Sequence, residues 1–205
     1  MQSPSTDIIM RFSLTLLLAT CALSHQAVLS KPQPAVAPAL WDGSCFYPVA
    51  DEGFTLDSYA GTWYQVAGTL ATFTAGCRCI HAQYSVNKDG SVKVVNICER
   101  NGRLGSITGV ATLADARYGK TGVFQVHFPH QRPSTCPGPN YIIQEYKKDL
   151  AIVQSSNFSN VFILSRSPQV DEATLSASTI FCNIRYMKLI RHVAVYSAGL
   201  REQEN

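Results

Sequence analysis

Between residues 61 and 165 the apolar positions fall into eight short runs separated by turn residues, at 61–69, 79–86, 91–98, 105–113, 121–128, 140–146, 150–155 and 160–165. Within these runs the hydrophobic pattern alternates. In the second, Ile80, Ala82, Tyr84 and Val86 share one face while Cys79, His81, Gln83 and Ser85 share the other. In the fifth, Phe124, Val126 and Phe128 oppose Gln125 and His127. A period of two belongs to a strand, whose successive side chains point to opposite sides of a sheet. Connections as short as 87–90 and 147–149 are of hairpin length. The pattern therefore predicts an all-β fold, an eight-stranded antiparallel up-and-down barrel. Eight is the strand number at which such a barrel can enclose one small ligand. A filled core produces the same alternation, so the pattern by itself leaves a ligand cavity and a packed interior equally open.

The pattern changes at both ends of this region. After Arg166, Pro168 precedes Asp171-Glu172, acids suited to a first helical turn, and an apolar stretch from Leu175 to Ile180 continues it. One C-terminal α-helix is predicted there. At the other end, Gly61 stands two places before Trp63, where a glycine permits a tight bend and the indole turns inward as a plug. If the sheet closes, its last strand, 161–165, lies beside its first, and Arg166 can lay its guanidinium on the Trp63 ring.

Ahead of the strands, Met10-Arg11 leads into the apolar run 12–23, of the length used by secretion signals and too short to span a bilayer. Residues 1–24 read as a signal peptide cleaved after Ser24 or Ser30. Residues 25–40, with prolines at 32, 34 and 38, read as an extended linker, 41–200 as one domain and 201–205 as a polar tail. At 205 residues and 46% hydrophobic content the chain can bury one sizeable core. A net charge of +3 without basic runs interleaved with aromatics argues against nucleic acid.

Of seven cysteines, Cys21 lies in the signal segment. The remaining six, in a secreted chain, argue for three disulfides. A zinc site at Cys77-x-Cys79 is disfavoured, because the spacing is too tight and no matching His/Cys pair follows. The hairpin at 87–90 leaves the cysteine register open: a four-residue loop sets Cys79 opposite Cys98, and a three-residue loop puts them on opposite faces. The five histidines stand apart and none belongs to a local nucleophile signature, so no catalytic residue, metal or cofactor is assigned. Asn157-Phe158-Ser159 is a glycosylation sequon in a turn.

Several stretches resemble the lipocalin family, within it the apolipoprotein D and bacterial lipocalin branch. They are Gly61-Thr62-Trp63-Tyr64, Cys79-Ile80-His81-Ala82-Gln83-Tyr84-Ser85, Asp89-Gly90-Ser91-Val92-Lys93-Val94-Val95-Asn96 and Phe162-Ile163-Leu164-Ser165-Arg166-Ser167-Pro168. The family's middle motif matches poorly at Glu145-Tyr146-Lys147-Lys148-Asp149. The resemblance implies a calyx with the C-terminal helix packed outside it, and a pocket lined by Tyr84, Asn96, Phe128, Tyr141 and Phe162. Phe162 stands where that branch has tryptophan. The resemblance also implies a Cys79–Cys182 bridge, since that branch ties the corresponding cysteine to its tail. The scheme built on it joins Cys77 to Cys98 and Cys45 to Cys136, the last departing from the family, whose partner lies later in the chain. The expected function is a secreted carrier or sequestering protein for a sterol, fatty acid, bilin or isoprenoid, not an enzyme. The alternatives are a barrel enzyme acting on such a lipid and a module that binds protein through its loops. Peripheral association with a membrane or lipoprotein is left open, as is the oligomeric state.

Overall fold

Each of the eight alternating runs forms a strand, and the sheet they build closes on itself. The computed structural model describes residues 37–69 and 74–174. A short hairpin, β1 (Ala39–Trp41) and β2 (Phe46–Pro48), and one helical turn, α1 (Leu56–Tyr59), precede the barrel. The barrel strands are β3 (Gly61–Gly68), β4 (Arg78–Val86), β5 (Val92–Arg100), β6 (Arg103–Leu113), β7 (Val123–His127), β8 (Tyr141–Lys147), β9 (Leu150–Gln154) and β10 (Val161–Ser165). Their order is β10-β3-β4-β5-β6-β7-β8-β9, and β10 closes the ring by pairing antiparallel with β3, Ser165 opposite Tyr64. Up-and-down connection puts the turns after β4, β6 and β8 at one end, with α1. The loops after β3, β5, β7 and β9 lie at the other.

The α1 end is plugged. Trp63 is fully buried, and its indole Nε1 donates to the Tyr59 carbonyl at 2.8 Å. The Arg166 guanidinium lies 4.0 Å from the Trp63 ring centroid and donates to the Thr62 carbonyl at 2.9 Å and the Ser58 carbonyl at 2.7 Å. Gly61 has φ +98°, and a Cβ there would meet Arg166 Nη1 at 3.3 Å, so both backbone and contact call for glycine.

The β4–β5 turn resolves the register. Val86 pairs with Val92, and Asn87 N–H donates to the Ser91 carbonyl at 2.8 Å, which is the three-residue alternative. A bulge then shifts the register between Arg78 and His81, where Cys79 adopts φ +50°. Cys77, in the approach to β4, is joined to Cys98. Cys79 is exposed in the bulge and has no disulfide partner among the described residues; Cys182, its expected partner, lies outside them.

The predicted linker ends earlier than its sequence suggests. Ala39 and Leu40, placed within 25–40, pair as strand β1 with Pro48 and Tyr47. This hairpin lies over β7 and β8, where Tyr47, Tyr118, Val123 and Ile142 form a second core outside the barrel. The Cys45–Cys136 disulfide, with a Cα–Cα distance of 5.8 Å, ties the hairpin to the β7–β8 loop. Asp42 organises the hairpin turn. Its carboxylate accepts from the Ser44 and Cys45 N–H groups and from the Tyr47 and Tyr118 hydroxyls, all at 2.7–2.9 Å. Burial pulls its pKa upward, but those hydrogen bonds more than offset it and hold the carboxyl well below the ordinary 3.8. A depressed native pKa contributes stability above the unfolded value and loses it as pH falls through the native one. Acid unfolding should therefore steepen below about pH 4. Asp42→Asn should lower the melting temperature at neutral pH and flatten that acid limb in thermal scans.

The predicted C-terminal helix begins where expected. Asp171 caps it, accepting from Thr174 N–H at 2.8 Å, with residues 172–174 helical. The stretch from Leu175 onward lies outside the described residues, as do the signal segment and the polar tail.

Candidate functional site

Inward positions of the strands enclose a cavity of about 810 Å³ open at the end away from α1. Tyr84, Asn96, Phe128, Tyr141 and Phe162, the five residues expected to line a pocket, all stand on its wall. Tyr84 comes from β4, Asn96 from β5, Tyr141 from the first position of β8 and Phe162 from β10. Phe128 was read as the end of a strand, but β7 stops at His127, so Phe128 begins the loop over the mouth. It fits because β6 has Gly109 opposite: a Cβ on Gly109 would come within 2.6 Å of the Phe128 ring and 2.4 Å of the His127 carbonyl. Asn140, read as the first residue of a strand, instead clasps β7 with its side chain. Its amide accepts from Val126 N–H at 2.8 Å and donates to the Val126 carbonyl at 2.9 Å.

The floor holds a feature the sequence did not disclose. Tyr59, on α1, rises into the barrel, stacks on Trp63 at 4.9 Å and places its hydroxyl 2.6 Å from that of Tyr141. Tyr84 adds its hydroxyl 2.9 Å from Tyr141 on the other side. Burial pushes all three phenols up, Tyr84 to about 12 and Tyr59 and Tyr141 well above their usual value. They are neutral at physiological pH. Tyr59 and Tyr84 also interact with each other, so the three hydroxyls form one mutually hydrogen-bonding cluster. All three tyrosines stand on the cavity wall, where a hydroxyl can turn its proton or a lone pair toward a ligand. Higher up, the half-buried Asn96 amide has no hydrogen-bond partner among the described residues and adds a donor and an acceptor. The charged and imidazole groups on the wall, His127, His130 and Arg132, sit at the mouth. No carboxylate or imidazole hydrogen-bonds to the tyrosine trio among the described residues.

His81, one of the separated histidines, lies on the outer face, its Nδ1 2.7 Å from the Cys79 carbonyl oxygen. Asn157 is exposed, but its amide is engaged: Oδ1 accepts from Phe46 N–H at 2.8 Å, and Nδ2 lies 3.4 and 3.3 Å from the sulfurs of Cys45 and Cys136. A glycan on Nδ2 has to be accommodated at the disulfide that anchors the hairpin. If the sequon is used, glycosidase treatment of protein secreted from eukaryotic cells should shift its gel mobility; unchanged mobility would show an unmodified Asn157.

A closed eight-stranded barrel with a plugged floor, an aromatic cavity and a tryptophan–arginine pair where first and last strands meet defines a calyx of the lipocalin type. Residues 54–183 match the family model of the lipocalin-like domain, and the chain belongs to that family. Among curated relatives it is 28% identical to apolipoprotein D of Rattus norvegicus over 142 residues, which cover 65% of this chain and 72% of that protein. It is 31% identical to the outer membrane lipoprotein Blc of Vibrio cholerae over 137 residues, covering 62% of this chain and 72% of Blc. A match to the putative lipocalin R877 of Acanthamoeba polyphaga mimivirus, at 36% identity, spans 31% of this chain and only 37% of that protein. Among solved structures, lobster apocrustacyanin A1 superimposes with a TM-score of 0.50 at 22% identity, covering 64% of this chain and 73% of that one. Insecticyanin of Manduca sexta does so with a TM-score of 0.50 at 20% identity, covering 73% and 79%. These structures support the fold.

Proposed function

We propose that this chain is a secreted protein that carries or sequesters a small, largely apolar molecule inside the barrel, the molecule bearing one weakly polar oxygen function. The observation that carries this reading is the enclosed cavity of about 810 Å³ whose deepest polar groups are three neutral hydroxyls. Its volume lies in the range of small-molecule sites, and an apolar wall with few placed polar groups is how such sites orient a lipophile. A ketone, ether or alcohol oxygen can accept from a tyrosine O–H of this cluster. Among the described residues no cation lines the floor of the cavity, so a fatty acid would have to keep its charge at the mouth, near Arg132. Two disulfides and the family support secretion. The trio favours holding over transforming: a neutral phenol without a neighbouring base is poorly placed to abstract a proton.

Organic extraction of protein purified from eukaryotic secretion medium, followed by mass spectrometry, tests this. The expected extract contains a neutral lipophile in near-stoichiometric amount. An extract free of any lipophile, from protein that also takes up no added sterol or isoprenoid, would contradict it. Tyr141→Phe should separate ligand classes. Losing one hydrogen bond is expected to weaken a keto or hydroxy ligand by about tenfold and leave a pure hydrocarbon nearly unchanged, as read by titration.

A further inference from the structure

The open end of the barrel carries surface chemistry that binding inside the cavity does not use. Trp41 and Phe46 pair across the β1–β2 hairpin with ring centroids 4.5 Å apart, and both stay exposed, at 55% and 49%. Leu40 adjoins them, also exposed. A disulfide and a hydrogen bond fix where they sit. Cys45, next to Phe46, is bridged to Cys136 of the β7–β8 loop, and Phe46 N–H donates to Asn157 of the β9–β10 loop. Those two loops line the mouth. Beside the β5–β6 turn, at the start of β6 and the same end, Leu104 is 74% exposed, more than any other large apolar residue described.

Charge at this end is one-sided. Arg78, Arg100, Arg103 and Arg132 are all exposed there, against the single carboxylate of Glu99 on the strand ends and loops described. Asp42, in the hairpin, is turned inward and consumed by Tyr47 and Tyr118. None of the four arginines is ion-paired among the described residues; the salt bridges there, Arg117–Asp115 and Lys147–Glu145, both lie at the plugged end, where the signs are mixed.

We propose that the open end docks on an anionic lipid surface, with Trp41, Phe46 and Leu104 seated at the headgroup level and the four arginines against the phosphates. Exposed aromatics and leucine suit the boundary between headgroup and acyl chain, and arginines around them supply the attraction. A protein partner of the same shape would demand paired polar groups on the rim; a lipid surface asks only for apolar tips within a cationic collar. The mouth would then face the bilayer. The proposal rests on the outer surface alone, so it can fail while ligand binding stands.

The chain has two tryptophans, and the other, Trp63, is fully buried, so a change in tryptophan emission on docking reports Trp41. Full-length mature protein would be mixed with phosphatidylcholine vesicles with and without phosphatidylserine. Sedimentation with the serine-containing vesicles only, weakened by salt and accompanied by a blue shift that Trp41→Phe removes, is the expected result. The double variant Trp41→Ala, Phe46→Ala should lower partitioning by about tenfold or more. Arg103→Gln, a change away from the cavity wall, should lower it about fivefold, the weight of one cation at an anionic surface. Both variants should keep the melting temperature and apolar-probe uptake of the parent. Folded parent protein that takes up the probe yet neither sediments nor shifts its emission would overturn the proposal. So would binding that survives the double variant, or that is found only with a protein partner and not with lipid.

Discussion

Replacing Cys45 and Cys136 together with serine should lower stability by about 2–5 kcal/mol, the usual consequence of removing a native disulfide from a small secreted domain. The bridge spans 91 residues of sequence, so its loss frees a long loop in the unfolded chain. In the folded state it also releases the contact that brings the β1–β2 hairpin onto β7 and β8. Those strands need the help. They share just two register pairs, Val123 with Ile142 and Phe124 with Tyr141, before Asn140 takes over with its side chain. Chemical denaturation of the double variant should show the drop, with proteolysis beginning near the hairpin. Unchanged stability would mean that the hairpin is held by its apolar core and by Asp42 alone.

Arg166→Ala is expected to cost about 3 kcal/mol and to leave ligand affinity nearly unchanged. The cation over Trp63 contributes about 0.5–2 kcal/mol. Losing the guanidinium also leaves the Thr62 and Ser58 carbonyls without their donor, at about 1 kcal/mol or more each. Ligand contact is not at stake, because the arginine lies beneath the indole, outside the cavity wall. Thermal melts and probe titrations on the same variant decide the matter. A large affinity loss with an unchanged melting temperature would refute this division between stability and binding.

How much of this was legible in the sequence follows from the range of the interactions. Strict alternation placed Tyr84, Phe124 and Val126 on the inner side, since parity along a strand survives errors in its ends. The pairing of Trp63 with Arg166 followed from closure alone. Tyr59 escaped because α1 is a single turn whose direction depends on the Trp63 Nε1 contact, formed only once the barrel exists. The β1–β2 hairpin escaped because strands of three residues are too short to show a period, and their partners, Cys136 and Asn157, lie about 100 residues away. The bulge at Cys79 has no local signature, as a left-handed φ at cysteine comes from its surroundings. Asn140 looked like a strand residue and is one in effect, replacing ladder bonds with its amide.

The central claim is that a ligand sits within the barrel, and a cavity-filling substitution tests it most directly. Ala111 faces inward from β6 on the cavity wall and is almost fully buried. Delipidated parent protein and Ala111→Trp would be titrated with an apolar fluorescent probe, then with sterols, isoprenoids and fatty acids as competitors. The account predicts one displaceable probe per parent barrel, and none in a folded Ala111→Trp protein. Equal probe binding by both proteins, or none by the folded parent, would contradict it.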